Sequence, residues 1–158
     1  MSRGKTLLAG IGNEWRSDDG IGPWIAGALR DADLPDVAVL VCAREVLELI
    51  EAWKGAETAF VFDALCGAGQ PGEVLHIDAL EHALPQQALC SSHSLNLADA
   101  VALGRSLDQL PERLTLIGVE GRTFDHGRGL SPEIEAAGRR VIKMLSAELK
   151  QEGTCEHA

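Results

Sequence analysis

The chain has 158 residues, with 14 basic and 24 acidic side chains and a net charge of −10 when histidine is neutral. That length suits one domain with a full hydrophobic core, needing neither disulfides nor a structural metal. The acidic balance argues against a surface that tracks the phosphates of nucleic acid or of an anionic membrane, and no apolar run approaches membrane-spanning length.

An apolar run over 6–11 meets Gly10, Gly12 and Asn13, which predicts a strand ending in a sharp turn. A helix follows. Ser17 or Asp18 can cap it, acidic side chains suit its start, and Ile21, Ile25, Ala28 and Leu29 recur at helical spacing. The glycines fit neither familiar phosphate motif. A dinucleotide fingerprint needs a third glycine where Trp15 stands, and Gly-Lys-Ser/Thr occurs nowhere. The adjacent carboxylates of Asp18 and Asp19 would repel a phosphate, so the loop suits a cation or a polar neutral group.

The β-branched run over 37–42 predicts a second strand, and Val46, Leu47, Ile50 and Trp53 place a helix over 44–53. A third, nearly all-apolar strand over 58–62 runs straight into Asp63. Residues 73–78 alternate as a half-exposed strand does. They follow the third strand too closely for a helical crossover, so they should pair antiparallel at an edge. Residues 79–89 show no clear pattern. After the small polar stretch from Cys90, Leu97, Ala100, Val101 and Gly104 mark a helix, with His93 just before it or in its first turn. A last buried strand is expected over 114–119. The final helix has Ser131 as cap, Pro132 in its first position and Ile134, Val141, Leu145 and Leu149 as its apolar stripe. Residues 151–158 are expected as a frayed tail beyond a single domain over 1–150.

The expected fold is therefore α/β: a three-layer sandwich with a mostly parallel twisted sheet of about five strands, one antiparallel edge strand and helices on both faces. Cys42, Cys66, Cys90 and Cys155 form no C-x-x-C pair and read as reduced thiols of a cytoplasmic protein. The apolar run after Met-Ser-Arg-Gly-Lys is too short for a signal peptide.

In such a sheet ligands bind at the carboxyl edge of the parallel strands. Asp19 follows the first strand, Asp63 closes the third, and His93 stands near a helix that returns to the same edge. Each has a plain reading: Asp19 as a helix-dipole partner, Asp63 as a turn former, His93 as a structural histidine. Together, two carboxylates and an imidazole suit a borderline divalent metal with coordination positions left open.

These residues resemble the nickel-iron hydrogenase maturation endopeptidases. The resemblance is carried by Gly10-Ile-Gly-Asn13, Asp18-Asp19-Gly20-Ile-Gly22, Asp63 ending a strand, Ser92-His93, Pro71-Gly72-Glu73, Ile117-Gly-Val119-Glu120 and Gly129-Leu-Ser-Pro132-Glu133, all in the expected order. One departure stands after the second strand, where many members have an Asp-Gly-Gly-Thr-like turn and this chain has Cys42-Ala43-Arg44-Glu45. The resemblance implies that Asp19, Asp63 and His93 contact metal and carry catalysis. It implies a protease that clips a C-terminal extension from a nickel-loaded hydrogenase large-subunit precursor. No permanent cofactor is then needed, because the nickel belongs to the substrate.

Further expectations concern the surroundings. Glu14 and Trp15 can line the cleft mouth, Asp125 and His126 can meet the substrate tail, and His76 and His82 have no role. Cys66 and Cys90 read as buried inert thiols rather than transient nickel ligands. No Gly-x-Ser-x-Gly elbow supplies a nucleophile. The protein is expected to act as a monomer. Two other classes compete: a nickel-sensing or metal-delivery protein that uses the same three residues and cleaves nothing, and a general metallo-peptidase or amidohydrolase with its own zinc.

Overall fold

A computed structural model describes residues 5–67, 69–84 and 95–155. These form strands β1 (Lys5–Ile11), β2 (Val37–Ala43), β3 (Ala56–Leu65), β4 (Val74–Asp78) and β5 (Arg113–Glu120), with helices α1 (Ile21–Asp31), α2 (Val46–Trp53), α3 (Leu97–Ser106) and α4 (Pro132–Cys155). The sheet order is β2-β1-β3-β5-β4. β1 pairs parallel with β2 and β3, β3 pairs parallel with β5, and β4 runs antiparallel on the far edge. The expected α/β architecture is the one observed.

Two apolar layers flank the sheet. On one face Leu7, Ala9, Val61 and Leu116 meet Trp53 of α2 and Ala100 of α3. Trp53 is fully buried, and its indole N–H donates to the Gln109 carbonyl at 2.7 Å, which satisfies the ring's one polar group. On the other face Leu8, Phe62 and Ile117 meet Ile25 and Leu29 of α1 and Ile134, Val141 and Leu145 of α4. Alternating strand residues thus feed both layers, as a central parallel sheet requires.

Glycine sets how closely α1 approaches this sheet. A Cβ on Gly22 would meet the carbonyl oxygens of Ile11 and Phe62, and one on Gly10 would meet those of Val41 and Gly22. The start of α1 therefore lies directly on the ends of β1 and β3, and the acidic turn before it is carried to the same edge.

Four details differ from expectation. β3 does not stop at Phe62: Asp63, Ala64 and Leu65 continue the ladder opposite Gly118, Val119 and Glu120. The apolar pattern breaks at Asp63, but backbone pairing is indifferent to it. α1 begins after a 3-10 turn (Ser17–Gly20) with Gly20 at its cap, so neither Ser17 nor Asp18 caps it. α4 continues through Cys155 where a tail was expected beyond residue 150. Cys66 is disulfide-bonded while Cys42 is free, so the expectation of reduced thiols fails at Cys66. Sequence spacing does not report which thiols a fold brings together.

Candidate active site

The site begins at the turn after β1. Gly12 has φ +146°, and a Cβ there would meet the Asp19 carbonyl oxygen, so only glycine lets the chain double back this tightly. Asn13 then organises the turn from both ends. Its side-chain oxygen accepts the Trp15 N–H at 2.9 Å, and its own N–H donates to Asp19 Oδ2 at 3.1 Å. The Arg16 carbonyl accepts the Asp19 N–H at 3.1 Å.

The two adjacent aspartates have separate tasks. Asp18 is fully buried, and its carboxylate accepts four hydrogen bonds: the N–H groups of Arg122 (2.9 Å), Thr123 (3.0 Å) and Ser131 (2.7 Å), and the Ser131 hydroxyl (2.8 Å). It is the tie between the first loop and the 121–131 loop. Around it Ser17 N–H donates to the Gly127 carbonyl and Gly127 N–H to the Trp15 carbonyl, both at 2.8 Å. Ser17 adopts φ 53° and its hydroxyl donates to the Asp125 carbonyl at 2.9 Å. Asp19, held by this frame and 1 % exposed, faces the interior.

Asp63 enters from β3. It is 3 % exposed, and its Oδ1 accepts the N–H of Ala64 at 2.8 Å. Burial holds its carboxyl well above the usual carboxylate range, and the nearby negative charge of Asp19 raises it further, against a smaller opposing effect of the Ala64 N–H. The structure thus brings together two of the three residues singled out from sequence. The third, His93, lies outside the described residues, as does Cys90. Among the described residues no three His, Cys, Asp or Glu side chains are grouped to hold a metal ion.

A cleft of about 480 Å³ opens between the 12–15 turn and residues 42–44, with Pro23 and Val41 in its lining; neither carboxylate lines it, and Asp19 adjoins it through the N–H of Asn13. Trp15, 56 % exposed, stands at its mouth with Arg128 stacked 4.3 Å from the ring centroid. Cys42 lies in the cleft wall and its thiol donates to the Gly12 carbonyl at 3.4 Å. Burial pushes this thiol up, with Arg44 opposing, so it is protonated at neutral pH and is not an activated nucleophile.

Glu120 is a further buried acid, 4 % exposed, at the end of β5. Its Oε1 accepts the Gly67 N–H at 2.6 Å, while its backbone pairs with Gly72 and Glu73, so it pins both ends of the loop that follows Asp63. Asp18 as a tie, Cys42 as cleft wall and Glu120 as loop anchor were not evident from sequence. The acidic pair and the Val119-Glu120 motif were the signals available, but only the fold shows what each carboxylate accepts. Asp125 and His126 are exposed in the 121–131 loop, and Asp125 meets Ser17 through its backbone.

Chemically, two neighbouring buried carboxylates, of which Asp63 holds a proton more tightly than usual, can exchange a proton with a reacting group or take up a cation that relieves their repulsion. Residues 32–148 match the model of a family described as hydrogenase maturation protease. The chain is 28% identical over 152 residues to the hydrogenase 2 maturation protease of Escherichia coli K12, covering 94% of this chain and 93% of that one. Its structure superposes on the hydrogenase maturating endopeptidase HybD from E. coli with a TM-score of 0.80 and 27% identity, over 94% of both chains. A hydrogenase 2 maturation peptidase from a Thaumarchaeota archaeon superposes with a TM-score of 0.66 and 27% identity, over 92% of this chain and 97% of that one.

Proposed function

The chain belongs to the hydrogenase maturation protease family, and from that premise we propose that it is the endopeptidase that removes the C-terminal extension of a nickel-loaded hydrogenase large-subunit precursor. The observation that carries the reading is the Asp19–Asp63 pair: two buried carboxylates, one raised by the other, at the carboxyl edge of the sheet and beside an open cleft.

In this reading nickel arrives with the substrate. Asp19, Asp63 and His93 complete a coordination sphere that the precursor has already begun, so a precursor without nickel offers the enzyme nothing to hold. No resident cofactor is required. The hydrolysis adds one water across the scissile amide: the water oxygen bonds to the carbonyl carbon, the C–N bond breaks, and the departing amine takes a proton. A carboxylate oxygen of the Asp19–Asp63 pair left free by nickel passes the attacking water's proton to that amine, and the precursor's nickel polarises the carbonyl. The protein works in the cytoplasm as a monomer.

The test is intact-mass analysis of nickel-loaded and nickel-free precursor incubated with the protein and with Asp19→Asn, Asp63→Asn and His93→Ala. Loss of a C-terminal peptide from the loaded precursor alone, and only with all three residues intact, is the expected result. A complex that forms with nickel but leaves the precursor mass unchanged would instead make the protein a metal sensor or carrier.

A further inference from the structure

The cleft does not end at Glu14. Glu14, Pro23 and Val41 line it and also line a neighbouring recess of about 180 Å³, closed on its other sides by Trp24, Arg128 and Leu130. The wall at their junction is a stack of charged and aromatic side chains. Arg128 lies 4.3 Å from the Trp15 ring centroid and 3.8 Å from the Glu14 carboxylate.

Volume decides what class of occupant fits. Pockets that take small-molecule ligands or cofactors run to roughly 300–1,000 Å³, so the recess is too small for one and suits a single side chain of a larger partner. Its lining from Pro23, Trp24, Val41 and Leu130 is apolar and half-buried, whereas Glu14 and Arg128 give it a charged rim. Apolar centre and polar rim is the anatomy of a protein-recognition point. The chain's net charge of −10 speaks against a nucleic acid here. Among the described residues β2 is the outermost strand on this side of the sheet, and none of their strands covers the approach over Val41.

Position then decides which partner. The recess shares three lining residues with the cleft, and the cleft in turn shares Asn13 with the Asp19 carboxylate. An extended polypeptide lying in the cleft is therefore led from Asn13, next to Asp19, past Glu14 and into the recess. We propose that the recess is an exosite that seats an apolar side chain of the client polypeptide away from the scissile bond, with Arg128, stacked on Trp15, as its wall. This inference rests on the protease reading above. Its contribution falls on capture of the precursor and not on the bond-breaking step, since none of its side chains is one of the two buried carboxylates.

The experiment uses the full chain and nickel-loaded large-subunit precursor, with Arg128→Glu to disrupt the exposed wall and Leu130→Ala to hollow the recess. Cleavage is followed by intact mass to separate kcat from KM, precursor affinity is measured directly, and thermal melts check folding. Each variant should raise KM and Kd by about tenfold, the scale of an interface anchor, with kcat changed less than about twofold and the Arg128→Glu melt unchanged. Unaltered KM and Kd in both variants would overturn the exosite. So would variants that leave the client's KM alone but abolish a self-association seen by native mass, which would assign the recess to a second copy. If the parent protein binds loaded precursor without cutting it, the protease reading fails, and the Kd values still decide the exosite.

Discussion

Asp19 raises the proton affinity of Asp63: two carboxylates from opposite ends of the fold's first half share one buried corner, and the second is held well above the usual carboxylate range by burial and then by the first. The folded protein therefore binds a proton at Asp63 more tightly than the unfolded chain does. In the window above the ordinary carboxylate range and up to the raised value, the native state carries the extra proton, so stability falls as pH rises through it. Asp63→Asn keeps a side-chain oxygen for the Ala64 N–H and removes the charge. The metal-free Asn variant should melt higher than the parent at neutral pH, by roughly 3 °C for each kcal/mol regained, and should lose that part of the pH dependence while losing processing activity. A lower melting temperature with the parent's pH slope would contradict the account.

Asp18 and Asp19 should separate by phenotype. Asp18→Ala strands three backbone N–H groups that its carboxylate accepts, and should cost about 3 kcal/mol in urea denaturation. Asp19→Asn should abolish processing with a smaller loss of stability. Equal destabilisation by both would remove the division of labour drawn here.

Glu120 anchors the loop after Asp63 through the Gly67 N–H. Glu120→Ala leaves that donor without its acceptor and should cost about 2 kcal/mol, with kcat for precursor processing lowered by about tenfold as the loop loosens. Glu120→Gln retains a carbonyl oxygen and should recover most of both. Steady-state kinetics with the two variants side by side make the comparison, and a Gln variant as impaired as the Ala variant would point to a need for charge rather than for an acceptor.

Gly22 admits no side chain. A methyl group would be driven into the Ile11 and Phe62 carbonyl oxygens, both backbone atoms with nowhere to move. Gly22→Ala should cost about 3 kcal/mol or more, read as loss of soluble protein or of a cooperative melt. A normal melt would show that α1 can lift from the sheet.

What could be read from the sequence followed from its periodicities. Val46, Ile50 and Trp53 at helical spacing and the apolar run over 58–62 place α2 and the body of β3, and the short link before residue 73 fixes β4 as an antiparallel edge. The end of β3 was less legible, since Asp63 breaks the apolar pattern while its backbone continues to pair with β5. Within the site, Asp19 and Asp63 were legible because strand ends converge on one edge. The role of Asp18 was not, because its partners near Arg122 and Ser131 are joined to it only by tertiary structure. The cleft wall at Cys42 and the Arg128–Trp15 stack were hidden for the same reason.

The tie between Asp18 and Ser131 spans 113 residues of chain. A ribosome delivers Asp18 early and Ser131 only near the end, with α4 behind it. At the usual pace of roughly 5–20 residues per second, the first loop waits about 6–23 seconds for the partners of Asp18 to emerge. During that wait Asp19 keeps its local hydrogen bonds with Asn13 and Arg16 but lacks the brace that Asp18 gives the first loop, and the recess has no wall at Arg128. Such long-range closure is also slow to form once the chain is free. The topology thereby sets an order: the brace on the first loop is among the last contacts the nascent chain acquires.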